Sequence, residues 1–186
     1  MKKMILMIAL CLSVFSFVLT SESNAQPLSS VDIKAQMVKE WERSKAYTID
    51  YLNTMPADKY SFKAVDSIRS FAQQMLHLAN TNVFFMSLAT DQKSPVFPQN
   101  LEERATAQTK DSVMYYVVTS YDYAIDAAKK SDTNKWGEKK KLPFGGYEET
   151  RYALINKAIE HQAHHRGQTT IYIRLRGIRP PQEQLF

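Results

Sequence analysis

Three of the four histidines in the chain lie within one short stretch, Glu160-His161-Gln162-Ala163-His164-His165-Arg166-Gly167-Gln168; the fourth, His77, lies far upstream. Imidazole is the commonest protein ligand for transition-metal ions, so spacing decides what such a cluster can do. Leu154, Ala158, His161, His165, Gln168, Tyr172 and Leu175 recur at alternating intervals of four and three, which places them on one helix face. His161 and His165 therefore sit one turn apart, separated by about 40° around the axis, and can point at a common centre. His164 falls on the far side of His161, toward the helix edge. It is expected to make a hydrogen bond behind the ligands or between helices. Two imidazoles make half a metal site, and His77 is the only histidine left to supply a third. Imidazoles that merely pack or cap are the competing reading of the same spacing.

Three histidines leave a four-coordinate ion one open position, the feature that separates catalytic from structural zinc. Such a centre can polarise a carbonyl, hold a thiolate or activate water. Two other metal patterns fail. A zincin helix needs Glu directly after its first His, but Gln162 stands there. A carboxylate di-iron bundle needs Glu three residues before each His; those positions hold Gln74, Ala158, His161 and Gln162. No catalytic residue can be named from the sequence. Arg166 either orients an anionic substrate or is, as expected here, a surface charge.

The elements that must carry these residues read as helices. Ser29 and Ser30 precede an apolar stripe from Ile33 to Met55, and Pro56 ends it. A second helix is expected from near Ser67 to about Ala89, with Ile68, Phe71, Met75, Leu78, Phe85 and Ala89 facing the core. His77 lies on a neighbouring face, polar toward one end and apolar toward the other, which suits a pocket wall. Asp91 to Gln99, with two prolines, is a loop. Asn100 and Glu103 have capping-box spacing and are expected to open the third helix, whose core face is Val113, Val117, Ser120, Ala124 and Ala127. Its tyrosines, Tyr115, Tyr116, Tyr121 and Tyr123, are packing or rim residues. Lys129 to Glu149 is a long, lysine-rich connection, read as solvated surface. Thr150 caps the fourth helix, which runs to Gly177. No segment alternates as a strand over a useful length. The fold class is all-α: a four-helix bundle preceded by an N-terminal signal peptide.

That signal peptide is read from Lys2 and Lys3, the apolar run Met4–Leu19 and the small residues before Gln26. The run is about 16 residues, short of the roughly 20 a spanning helix needs. The chain thus divides into 1–25, signal peptide, and 26–186, one bundle domain with no membrane span. It is expected to be exported, periplasmic or extracellular. The single cysteine, Cys11, leaves with the signal, so the mature chain has no disulfide and no thiolate ligand or nucleophile. A formal charge of +5 over 186 residues is mild and argues against a dedicated nucleic-acid surface.

His161-x-x-His164-His165-Arg166-Gly167-Gln168, followed by Tyr172, Arg174, Gly177 and Pro180-Pro181, resembles the C-terminal signature of the DinB/YfiT-like superfamily. Met55-Pro56, Tyr60-Ser61-Phe62-Lys63 and Phe71-x-x-Gln74-x-x-His77-x-Ala79 resemble its first-to-second helix region. The resemblance implies a four-helix bundle, often a homodimer, with a divalent metal, zinc or nickel, held by His77, His161 and His165. It also implies a thiol-dependent transferase or isomerase in some members. The export signal departs from those members, because low-molecular-weight thiols are scarce outside the cytoplasm. It also separates the chain from the chromosome. The expected function is therefore an exported metal-dependent transferase or hydrolase acting on a small molecule. The alternative is a non-catalytic metal- or ligand-binding protein of the envelope.

Overall fold

In the computed structural model, residues 27–186 are described; the expected signal peptide and its cleavage site lie outside them. Four long helices are found among the described residues: α1 (Ser30–Thr54), α2 (Phe71–Thr90), α3 (Lys110–Lys130) and α4 (Arg151–Leu175). Each begins at a hydroxyl residue whose oxygen accepts from a backbone N–H in the first turn. Ser29 accepts from Asp32, Ser70 from Gln73, Thr109 from Ser112 and Thr150 from Ala153. At α4 the chain leaves through Gly177 at φ +73°, where N–H groups of Gly177 and Ile178 return to the carbonyls of Arg174 and Ile173. That left-handed turn is the reason for glycine there.

Two starts differ from expectation. Helix α2 begins after Ser70, not near Ser67, because Ser70 and Gln73 form a reciprocal capping box. Asn100 does not open the third helix. It takes a left-handed conformation (φ 53°) with no side-chain cap and leads only into the 3-10 turn Leu101–Glu103. Thr109 is the true cap.

Around the bundle the neighbours are α4–α2, α2–α3, α3–α1 and α1–α4, so α1 faces α2 across the diagonal, as α3 faces α4. The chain therefore crosses the bundle end twice, at residues 55–70 and 131–150. The second crossing, expected to be irregular, contains a short antiparallel hairpin, β1 (Lys139–Lys141) with β2 (Glu148–Thr150). Lysines face glutamates across it, Lys140 opposite Glu149 and Lys141 opposite Glu148, a pairing that supports strands too short to show alternation. Arg151 ties this crossing to α2, donating to Glu138, Asp91 and the Ala89 carbonyl. Trp41, Tyr121, Phe71, Leu52, Met75, Leu76, Leu78, Met86 and Leu154 are fully buried between the helices. Burial on this scale, at roughly 25 cal/mol per Å² of apolar surface, is expected to hold the bundle without a bound group. No helix of the described residues is long and apolar enough to cross a membrane.

Candidate metal centre

The tightest helix pair, α2 with α4, brings His77, His161 and His165 together. His161 Nε2 lies 3.2 Å from His77 Nε2 and 3.1 Å from His165 Nε2, and one ring nitrogen of each falls within 4.8 Å of the others. His165 is buried; His77 and His161 are half-buried, so the centre sits at the bundle's edge. His164 is exposed and accepts from Gln168 Nε2 (2.9 Å), one turn along its own helix rather than across to another.

The outer nitrogens of two rings are held. His77 Nδ1 donates to Glu102 Oε1 at 2.6 Å, and Arg69 Nε donates to Glu102 Oε2 at 2.8 Å. Burial acts to raise the Glu102 carboxyl, but the hydrogen bonds from His77 and Arg69 outweigh it and hold its pKa below the ordinary value. It is therefore a carboxylate, and His77 must carry its proton on Nδ1. The second ring is fixed through a longer chain. The Tyr172 hydroxyl donates to the Arg69 carbonyl (2.7 Å), so toward Gln74 it can only accept, from Nε2 at 3.3 Å. That turns Gln74 Oε1 to His165 Nδ1 at 2.6 Å, and His165 also carries its proton on Nδ1.

With both protons on the outer nitrogens, the Nε2 atoms of His77 and His165 present bare lone pairs to the same point. A single N–H on His161 can satisfy only one of them, and His161 Nδ1 is itself buried without a partner among the described residues. Protonating His161 or His165 is no remedy. Burial first, then the charge of neighbouring histidines, pushes His161 down to about 4 and His165 down to about 3. Three imidazoles whose Nε2 atoms converge fit a divalent transition-metal ion, and the carboxylate and amide on the outer nitrogens of His77 and His165 are the kind of partner that metal-binding histidines carry.

Glu102 was not legible as part of this centre. Helices α2 and α3 are neighbours, yet residues 91–109 between them fold back over α2, and the Leu101–Glu103 turn, pinned by buried Leu101, delivers the carboxylate. Beside the histidines opens a polar cavity of about 870 Å³; its wall includes Lys63, Asp66, Glu103, His164, His165 and Gln168. On the apolar side Phe85 lies 6.5 Å from His161 between ring centroids. The His77 face expected to wall one pocket is divided: Gln73 and Gln74 line the polar cavity, Phe84 and Leu88 line another, and His77 itself is in the wall of neither. Arg166 is not a surface charge: it is 7% exposed and turned toward α1, away from the imidazoles.

The chain is similar to several solved structures. A DinB-like protein from Bacillus cereus ATCC 10987 superposes with a TM-score of 0.67 at 15% identity, over 80% of this chain and 95% of that one. A DinB-like protein from Bacillus subtilis gives 0.60 at 18%, over 81% and 96%. A conserved protein from Enterococcus faecalis gives 0.58 at 13%, over 77% and 96%. At these identities the likeness shows the fold. No curated protein matches the chain. Among protein families, the model of the DinB family matches residues 24–185, nearly the whole chain. The chain belongs to the DinB family.

Proposed function

We propose that the protein is a metal-dependent enzyme, a transferase or hydrolase, holding one divalent ion, zinc or nickel, on Nε2 of His77, His161 and His165. The observation that carries this reading is the convergence of three imidazole nitrogens, with Glu102 and Gln74 drawing the protons of His77 and His165 to the outer side. When bound, such an ion supplies a Lewis acid able to polarise a substrate carbonyl or thiol. The chain's own residues supply the rest. Glu102 and Gln74 keep two rings aimed. Lys63 and Gln168 in the polar cavity orient a small polar substrate. Asp66 and Glu103, which form no ion pair among the described residues, are carboxylates of that cavity wall able to accept a proton.

The proposal includes export, supported by Lys2, Lys3, the apolar run and the Ala25-Gln26 junction, and a homodimeric state, supported by the superfamily resemblance. Outside the cytoplasm a hydrolytic or non-thiol transfer reaction is the natural use of the site. The test is elemental analysis of protein from the native host, with N-terminal sequencing. A screen of ester, amide and group-transfer substrates follows, with and without added thiols, on native protein and His77→Ala. Turnover that requires both the ion and His77 is expected. A bound ion with no turnover of any substrate would leave the non-catalytic envelope role in its place, and a chain starting at Met1 in the cytoplasm would restore the thiol-dependent reaction.

A further inference from the structure

Arg166 belongs to a second constellation, on the side of α4 that faces α1. Its Nη1 donates to Gln162 Oε1 (2.6 Å) and Thr48 Oγ1 (3.2 Å), and its guanidinium carbon lies 4.7 Å from the centroid of the Tyr47 ring. All three partners are neutral, and no carboxylate of the described residues pairs with it. A guanidinium cannot discard its charge, so a desolvated one without a counter-ion leaves positive potential on the nearest surface.

Tyr47, on which this guanidinium rests, also lines a cleft of about 430 Å³. It is walled by Tyr47 and Tyr51 of α1, Thr170 and Arg174 of α4, and the segment from Arg179 to Glu183. Arg174 and Arg179 are exposed and make no ion pair among the described residues; Glu183 is the one carboxylate in the wall. Three hydroxyls line the floor in a chain, Tyr47 3.3 Å from Tyr51 and Tyr51 2.8 Å from Thr170. Three protons serve two links, so one O–H is left over from the chain. Burial, followed by the neighbouring Tyr51, pushes Tyr47 up to about 12, so it stays a donor at neutral pH.

The far wall is held in place. Pro180 is buried, Gln184 Nε2 donates to Asp50 Oδ2 (2.7 Å), and Arg43 donates to the Gln184 carbonyl. We propose that this cleft, separate from the histidine centre, binds a small organic carboxylate carried on a flat apolar body. Arg174 and Arg179 take the carboxylate, the spare hydroxyl adds a donor, and the tyrosine rings and Pro180-Pro181 bracket the body.

The test is calorimetric titration of the metal-loaded protein with benzoate, with benzyl alcohol and inorganic phosphate as comparisons. Benzoate is expected to bind saturably at one site per chain, and benzyl alcohol not to bind. The double variant Arg174→Ala/Arg179→Ala should weaken benzoate by about tenfold or more. Glu183→Gln, which removes the one rim carboxylate, should tighten it. His77→Ala should leave it unchanged, which separates this cleft from binding at the metal. Benzoate that fails to saturate, that binds the double variant equally well, or that is lost with His77→Ala would overturn the proposal. Saturable phosphate without benzoate would overturn the carboxylate assignment.

Discussion

Replacing Glu102 tests how far the centre depends on the residues behind its ligands. The carboxylate meets His77 Nδ1 at 2.6 Å and Arg69 Nε at 2.8 Å, with its side chain 23% exposed. In Glu102→Gln the amide oxygen still accepts from Nδ1, so the ring keeps its tautomer and loses only the charge that makes its Nε2 a better donor. In Glu102→Ala the acceptor goes too, and His77 is free to turn or to move its proton to Nε2. Partners of this kind alter metal affinity by about 10- to 100-fold. The expected loss is therefore about tenfold for Gln, or roughly 1.4 kcal/mol, and about 100-fold for Ala. The Arg69 pair lost with it is 44% exposed on the arginine side, so little stability goes with it. Competition titration of zinc against a chromophoric chelator reads the affinities, and the melting temperature of the metal-free variants checks the fold. Both variants within twofold of native would refute the reasoning.

Acid should weaken the metal-free protein before its carboxylates titrate. His161 and His165 are depressed to about 4 and about 3 in the fold against an ordinary value near 6.5, so across that window the unfolded chain binds more protons. Their contribution is complete above about pH 6.5 and is lost progressively as pH falls from there toward the folded values; melting temperatures flat from about pH 7 to about pH 4.5 would contradict this. Arg166→Ala strips a guanidinium from Gln162 and Thr48 and leaves a buried gap, and should cost about 2–4 kcal/mol by urea denaturation while metal content is kept. Chelation should lower the melting temperature without removing helical circular dichroism, since the core is sufficient for folding; complete loss of helix would count against that.

Helix periodicity carried most of what was legible. The i, i+4 pair His161 and His165 and the upstream His77 could be placed from spacing, because a helix face is a local property. The buried surface of α4 is wider than its apolar stripe. It includes Gln162, Arg166, Thr169 and Ile173, a second track facing α1 and α3, and residue type alone does not mark Arg166 as part of it. Its spacing of four from Gln162 and three from Thr169 was the available signal. The difference at Asn100 has another cause: S/T/D/N with Glu three residues on is a local pattern, but tertiary contacts use Glu102 and Leu101 from that same stretch to close over α2. Gln74 was visible in the helix pattern, yet its role depends on Tyr172 and the Arg69 carbonyl, brought in from elsewhere in the chain.

The central claim is that three particular imidazoles share one ion. Bound zinc per chain, measured by elemental analysis after equal loading of native protein and four alanine variants, addresses it most directly. One ion is expected in native protein, with strong loss in His77→Ala, His161→Ala and His165→Ala and near-native content in His164→Ala, whose ring faces Gln168. A His164→Ala protein that loses its ion while His165→Ala keeps it would contradict the assignment, even with the bundle intact.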